Sequence, residues 1–237
     1  MCLRLLPLLL LFACQSPAYR PTAARLEGPA PDTTALYARL DSLAQLAGRS
    51  TWLRIERTRD GGVQGGGSTW YFDSLGSLRQ VLHRVQAQAD EQREQQYWVG
   101  GRLVAWQHDR CWPGEPGHPC ESTRLHQAAC PACGLTLLRQ TGQADQPLRY
   151  RDSDYLDRQA TREREALAQT LARLRKCVVE LTAAGMAEHG PDVRYNEFTI
   201  EPEQPDPSGG KESYFIDPAL YDRVFDGQLE ARLRAGR

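Results

Sequence analysis

The sequence predicts an α+β domain: an antiparallel β-sheet of about five to seven strands built from hairpins, flanked by three helices. Three observations carry that expectation. Between Thr51 and Gln107, short runs of β-branched and aromatic residues alternate with charged ones and are broken by Gly-containing turns. Between Arg151 and Gly185, apolar residues recur at about 3.6-residue spacing without a proline. Two shorter stretches of the same spacing, near residues 33–48 and 217–229, supply the remaining helices.

The elements follow in chain order. Asp32, Thr33 and Thr34 offer an N-cap, Leu36, Leu40, Leu43 and Leu46 form one apolar stripe, and Gly48 closes the segment. A single stripe suits packing on the protein's own sheet. TWLRIERTR (51–59) reads as a strand, and GGVQGGG (61–67) as a floppy hairpin loop. That loop lacks both the GxGxxG spacing and the Walker lysine, so it is not read as a phosphate cradle.

TWYF and LRQVLHRV are joined by Asp73-Ser74-Leu75-Gly76, a turn with Gly available for positive φ. QQYWV and RLVAW flank Gly100-Gly101, the strongest hairpin signal in the chain. A two-residue loop there sets Val99 opposite Arg102, Trp98 opposite Leu103 and Tyr97 opposite Val104. Both faces then carry apolar side chains, so both are expected to be covered.

The long helix has Leu156, Ala160, Leu167, Leu171, Leu174, Val178 and Leu181 on one stripe, opposite a face dense in Arg and Glu. GLTLLRQ (134–140) and VRYNEFTIE (193–201) add strands, and PEQPDPSGG (202–210) is a loop. Asp217-Pro218 starts a last helix with Leu220, Val224, Phe225 and Leu229 apolar.

Composition excludes several classes. The chain has 237 residues, a net charge of -1 and a mean hydropathy of -0.57, which argues against an integral membrane protein and against nucleic-acid binding. Leu, Ile, Val and Phe make up only about a fifth of the residues, so five Trp and nine Tyr must supply core material.

The N-terminus is the most specific signal. Arg4 precedes an apolar run, Leu5 to Ala13, too short for a helix that must cross a bilayer with roughly 20 residues. The run ends in Leu11-Phe12-Ala13-Cys14, which resembles the lipobox of bacterial lipoprotein signals. The resemblance implies cleavage before Cys14, diacylglycerol on its thiol and acylation of the new amine. Gln15 is not the Asp that signals inner-membrane retention in some Gram-negative bacteria, so it also implies an outer-membrane anchor facing the periplasm. An ordinary secretory signal or a short membrane anchor is the alternative. The expected organisation is a signal peptide (1–13), a lipidated Cys with a Pro-rich tether (14–31), and one α+β domain (32–237) with a Cys-rich excursion (111–133).

Of seven Cys, Cys2 leaves with the signal and Cys14 takes the lipid. Cys111, Cys120, Cys130 and Cys133 cluster in a stretch rich in Pro and Gly, and Cys177 stands apart on the long helix. Disulfides are the leading expectation, because an exported chain meets an oxidising compartment; the spacing does not choose among the pairings. Zinc is an alternative: CPACG resembles the knuckle of zinc ribbons, with Cys130 and Cys133 as ligands and His118 or His126 completing the site. CPAC is also similar to the thiol pair of thioredoxin-like proteins, although the strands upstream read as antiparallel.

No GxSxG, HExxH or calcium-loop pattern is present, and the scattered Asp and Glu single out no acid–base pair. The expected function is therefore a non-enzymatic envelope lipoprotein, a binding or structural module whose partner is an envelope protein or a small ligand and which needs no cofactor. A thiol-redox or zinc protein centred on Cys130 and Cys133 is the alternative.

Overall fold

A computed structural model describes residues 33–50, 52–60, 64–87, 90–111, 120–127, 135–141, 144–150, 154–189, 197–200 and 211–235. Within the described residues, α1 (Thr33–Arg49) comes first and is followed by eight consecutive strands. These are β1 (Leu53–Asp60), β2 (Gln64–Phe72), β3 (Leu78–Ala87), β4 (Glu91–Val99), β5 (Arg102–Cys111), β6 (Glu121–Gln127), β7 (Leu135–Thr141) and β8 (Ala144–Tyr150). The long helix α2 (Tyr155–His189) then leads to β9 (Glu197–Ile200), β10 (Lys211–Ile216), α3 (Pro218–Phe225) and α4 (Gln228–Arg234).

All strands form one antiparallel sheet in the order β8-β7-β6-β5-β4-β3-β2-β1-β10-β9. The α+β class and the hairpin-built antiparallel sheet are as expected. Among the described residues the sheet is wider, with ten strands in place of five to seven. β6 lies inside the stretch 111–133 that was expected to project as an excursion. β8 carries Pro147, a residue that sheets accommodate on edge strands, and β8 is an edge strand here. β10, KESYFI, fills the place beside β1.

Among the described residues, four helices replace the expected three. The C-terminal helix divides at Gly227, whose φ of 72° ends one helical segment and begins the next. Asp217 caps α3, accepting from the Ala219 backbone N–H at 3.0 Å, with Pro218 in the first turn as the sequence predicts.

The two sheet faces are covered unequally. α2, α3 and α4 cover one face, burying Ile55, Trp70, Phe72, Val81, Trp98, Leu103, Trp106 and Ile216 beneath Leu156, Ala160, Leu167, Leu171, Leu174, Leu220 and Leu229. The tryptophans offset the lean aliphatic content. α1 covers part of the other face with Leu40 and Leu43 against Tyr97, Val104 and Ala105.

Two β-bulges set which residues face α2. Tyr71 pairs with Gln80 and Phe72 with Leu78, so Leu78 and Val81 both face the helix. Tyr97 pairs with Ala105 and Trp98 with Leu103, so Leu103 and Trp106 do the same. The second bulge corrects the expected Tyr97–Val104 pairing by one residue, while Val99–Arg102 and Trp98–Leu103 stand.

The expected Gly-rich loop is also corrected. Gly65, Gly66 and Gly67 lie in β2, all paired with β3 and the last two also with β1. A Cβ on Gly66 would come 2.5 Å from the Arg84 carbonyl oxygen, and one on Gly67 2.7 Å from that of Arg57. Glycine serves here for close backbone approach between strands rather than for a turn.

Candidate functional site

One polar row crosses the sheet on the α2 face, at the upper border of the apolar core. Backbone register brings Tyr214 (β10), Arg57 (β1), Ser68 (β2), His83 (β3), Glu94 (β4) and His108 (β5) side by side. The next residues along these strands towards the turns at 73–77 and 100–101 are apolar or amide: Ile216, Ile55, Trp70, Val81, Gln96 and Trp106. Period-2 alternation therefore switches from core to polar within a single pleat.

Glu163 of α2 descends onto this border. It occupies the same stripe as Leu156, Ala160, Leu167, Leu171 and Leu174, so helical geometry forces its carboxylate inward. Three adjacent strands supply its donors. Trp70 Nε1 donates to Oε1 at 2.8 Å, while His83 Nε2 and Gln96 Nε2 reach Oε2 at 2.9 and 3.1 Å. Gln96 Nε2 also donates to Glu94 Oε1 at 2.8 Å and so bridges two buried carboxylates. On its other side His83 meets Ser68 Oγ through Nδ1 at 2.8 Å, and Trp70 packs edge-on against its ring.

The charges of this cluster support one another. Burial alone would lower the pKa of His83, but the Glu163 carboxylate and, further off, Glu94 hold it above the ordinary 6.5. Burial alone would raise Glu163, but the His83 charge and the donors His83, Trp70 and Gln96 hold it below its ordinary value. His83 is thus favoured as an imidazolium, donating from both ring nitrogens. His108 follows the opposite rule: burial dominates and lowers its pKa, favouring a neutral ring stacked on Trp106 at 5.7 Å.

Ser68, His83 and Glu163 have the order of a hydroxyl–imidazole–carboxylate relay, but the surroundings differ from those of a nucleophile. Ser68 is 8% exposed and lies mid-strand between β1 and β3. Its neighbouring backbone donors point into the ladder, away from any position an oxyanion would take. The arrangement fastens α2 to the sheet and stores a buried ion pair.

The residues singled out from sequence have different fates. Cys111 and Cys120 are joined, with Cα atoms 4.3 Å apart, at the facing ends of β5 and β6. Cys14, His118, Cys130 and Cys133 lie outside the described residues. His126 lies on β6, in register with Ala105 and Thr136, and Cys177 lies within α2. Among the described residues, no three His, Cys, Asp or Glu are grouped to hold a metal ion, and no helix is long and apolar enough to cross a membrane.

Sequence reasoning missed the Ser68–His83–Glu163 cluster. Its signal was a carboxylate at an inward position of the long helical stripe, and polar residues continuing the inward alternation of Trp70 and Val81. Comparison of the chain with protein-family models, with curated proteins and with solved structures finds no match.

Proposed function

We propose that this chain is a non-enzymatic lipoprotein of a bacterial envelope, anchored through Cys14 in the outer membrane and facing the periplasm. The folded domain acts there as a binding or structural module, whose exposed loops contact another envelope component or a small ligand. The observation that carries the reading is the Cys111–Cys120 bond across the β5–β6 hairpin. Such a bond persists in an oxidising compartment, where an apolar run ending in Leu11-Phe12-Ala13-Cys14 would deliver the chain. Among the described residues, Ser68 of the hydroxyl–imidazole–carboxylate row is shielded mid-strand, which favours a structural over a catalytic part for that row.

Metabolic labelling with an alkyne analogue of palmitate tests the reading. The natural chain takes the label and fractionates with outer membranes, and Cys14→Ala does neither. Persistent labelling of Cys14→Ala, or recovery of the natural chain unlabelled, overturns it.

A further inference from the structure

Among the described residues, five large apolar side chains are exposed, and four of them gather at one end of the sheet. Leu75 (68% exposed) tips the β2–β3 turn, Val99 (47%) ends β4 beside the β4–β5 turn, Phe225 (41%) ends α3, and Leu46 (58%) lies in the last turn of α1. The fifth, Val85, lies beyond the polar row towards the opposite end.

Leu75 is held out rather than left loose. Asp73 Oδ1 accepts the backbone N–H groups of Leu75 and Ser77 at 3.0 and 2.8 Å, and Asp73 Oδ2 takes the Arg79 guanidinium at 2.7 Å. Arg223 from α3 donates to the Ser74 carbonyl at 2.8 Å, and Arg232 from α4 donates to that of Leu75. Gly76, at φ 81°, lets the turn close. Five polar groups thus present one leucine to solvent on a fixed mount.

We propose that this end of the sheet lies against the bilayer that anchors the chain, with Leu75, Val99, Phe225 and Leu46 entering the headgroup–acyl boundary; the proposal rests on the anchor at Cys14. Arg79, Arg102 and Arg234 face Asp73, Asp157 and Glu230, while Arg223 and Arg232 bring positive charge beside Leu75, so apolar side chains and basic groups share the contact. Chain length permits it. α1 runs down to this end over about 25 Å, and the 18 residues between Cys14 and Thr33 can span up to about 60 Å.

The test uses the full chain with vesicles of phosphatidylethanolamine and brominated phosphatidylglycerol. Leu75→Trp and Phe225→Trp each add a reporter at the contact, and Val85→Trp adds one away from it. The added emission at 75 and 225 is expected to fall about twofold while that at 85 is unchanged. No quenching at 75 and 225, or equal quenching at all three positions, overturns the surface. Intact mass of the same preparation reports acylation of Cys14, so a failed anchor and a failed contact are read separately. Crosslinking from position 75 to a second envelope protein, without lipid quenching, reassigns the surface and overturns the proposal.

Discussion

His83 of β3 and Glu163 of α2, eighty residues apart in sequence, meet at 2.9 Å in a border that is apolar on one side and polar on the other. Each is held in its charged form by the other, and Glu163 gathers further donors from β2 and β4. A helix whose other inward residues are apolar is thereby fixed in register on the sheet, because sliding it would strand a buried carboxylate.

Removing one partner is therefore expected to cost more than removing both. Glu163→Ala takes the acceptor from the buried Trp70 indole N–H and the counter-charge from His83, which burial then drives to its neutral form, with an expected loss of about 3–5 kcal/mol. A double-mutant cycle with His83→Gln and Glu163→Gln, read by urea unfolding, should give a coupling of about 1–3 kcal/mol. Additive losses would show that the pair does not act as a unit.

The same groups set a pH dependence. Glu163 has a folded pKa below its ordinary 4.5, so its contribution is full above that value and is lost as pH falls below it. His83 has a folded pKa above 6.5, so its contribution is full below 6.5 and is lost as pH rises through the folded value. His108, with a lowered pKa, acts oppositely and withdraws stability as pH falls below 6.5. Differences in Tm should follow: the advantage of the natural chain over His83→Gln shrinks above pH 6.5, and that over His108→Gln shrinks below it. Parallel curves would refute the assignment.

Neighbouring glycines of β2 should behave differently. Gly66→Ala sets a Cβ 2.5 Å from a backbone oxygen and is expected to cost about 1–3 kcal/mol. Gly65→Ala meets only an ordinary 3.6 Å contact and should be tolerated. Chemical denaturation of the two variants compares them directly; equal losses would mean that flexibility, and not close approach, explains the glycines.

The Cys111–Cys120 bond closes a short loop at the ends of β5 and β6. Replacing both by Ser should lower stability by about 2–3 kcal/mol. The replaced chain should also become insensitive to reductant in the same unfolding assay. A reductant effect that survives would point to a second bond elsewhere.

The architecture was legible where local chemistry and tertiary context agree. Gly100-Gly101 between two aromatic strands, the Asp73–Gly76 turn, the capped start at Asp217-Pro218 and the stripe through Leu156, Leu167, Leu171 and Leu174 all lie where the pattern sets them. It was illegible where tertiary pairing overrides composition. Gly65 to Gly67 look like a loop but enter β2, where at Gly66 and Gly67 the neighbouring strands come too close for a Cβ. β8 was hidden by Pro147, and Tyr97–Ala105 pairing by a bulge that leaves no mark in the residue types. The Ser68–His83–Glu163 cluster depends on contacts across 15 and 80 positions, which no local pattern reports.

The most direct test of the envelope reading is the mass of the N-terminal peptide of protein recovered from membranes. A peptide beginning at Cys14 and carrying a diacylglyceryl thioether and an amide-linked acyl chain is the expected result. A peptide retaining residues 1–13, or one containing an unmodified Cys14, would contradict it.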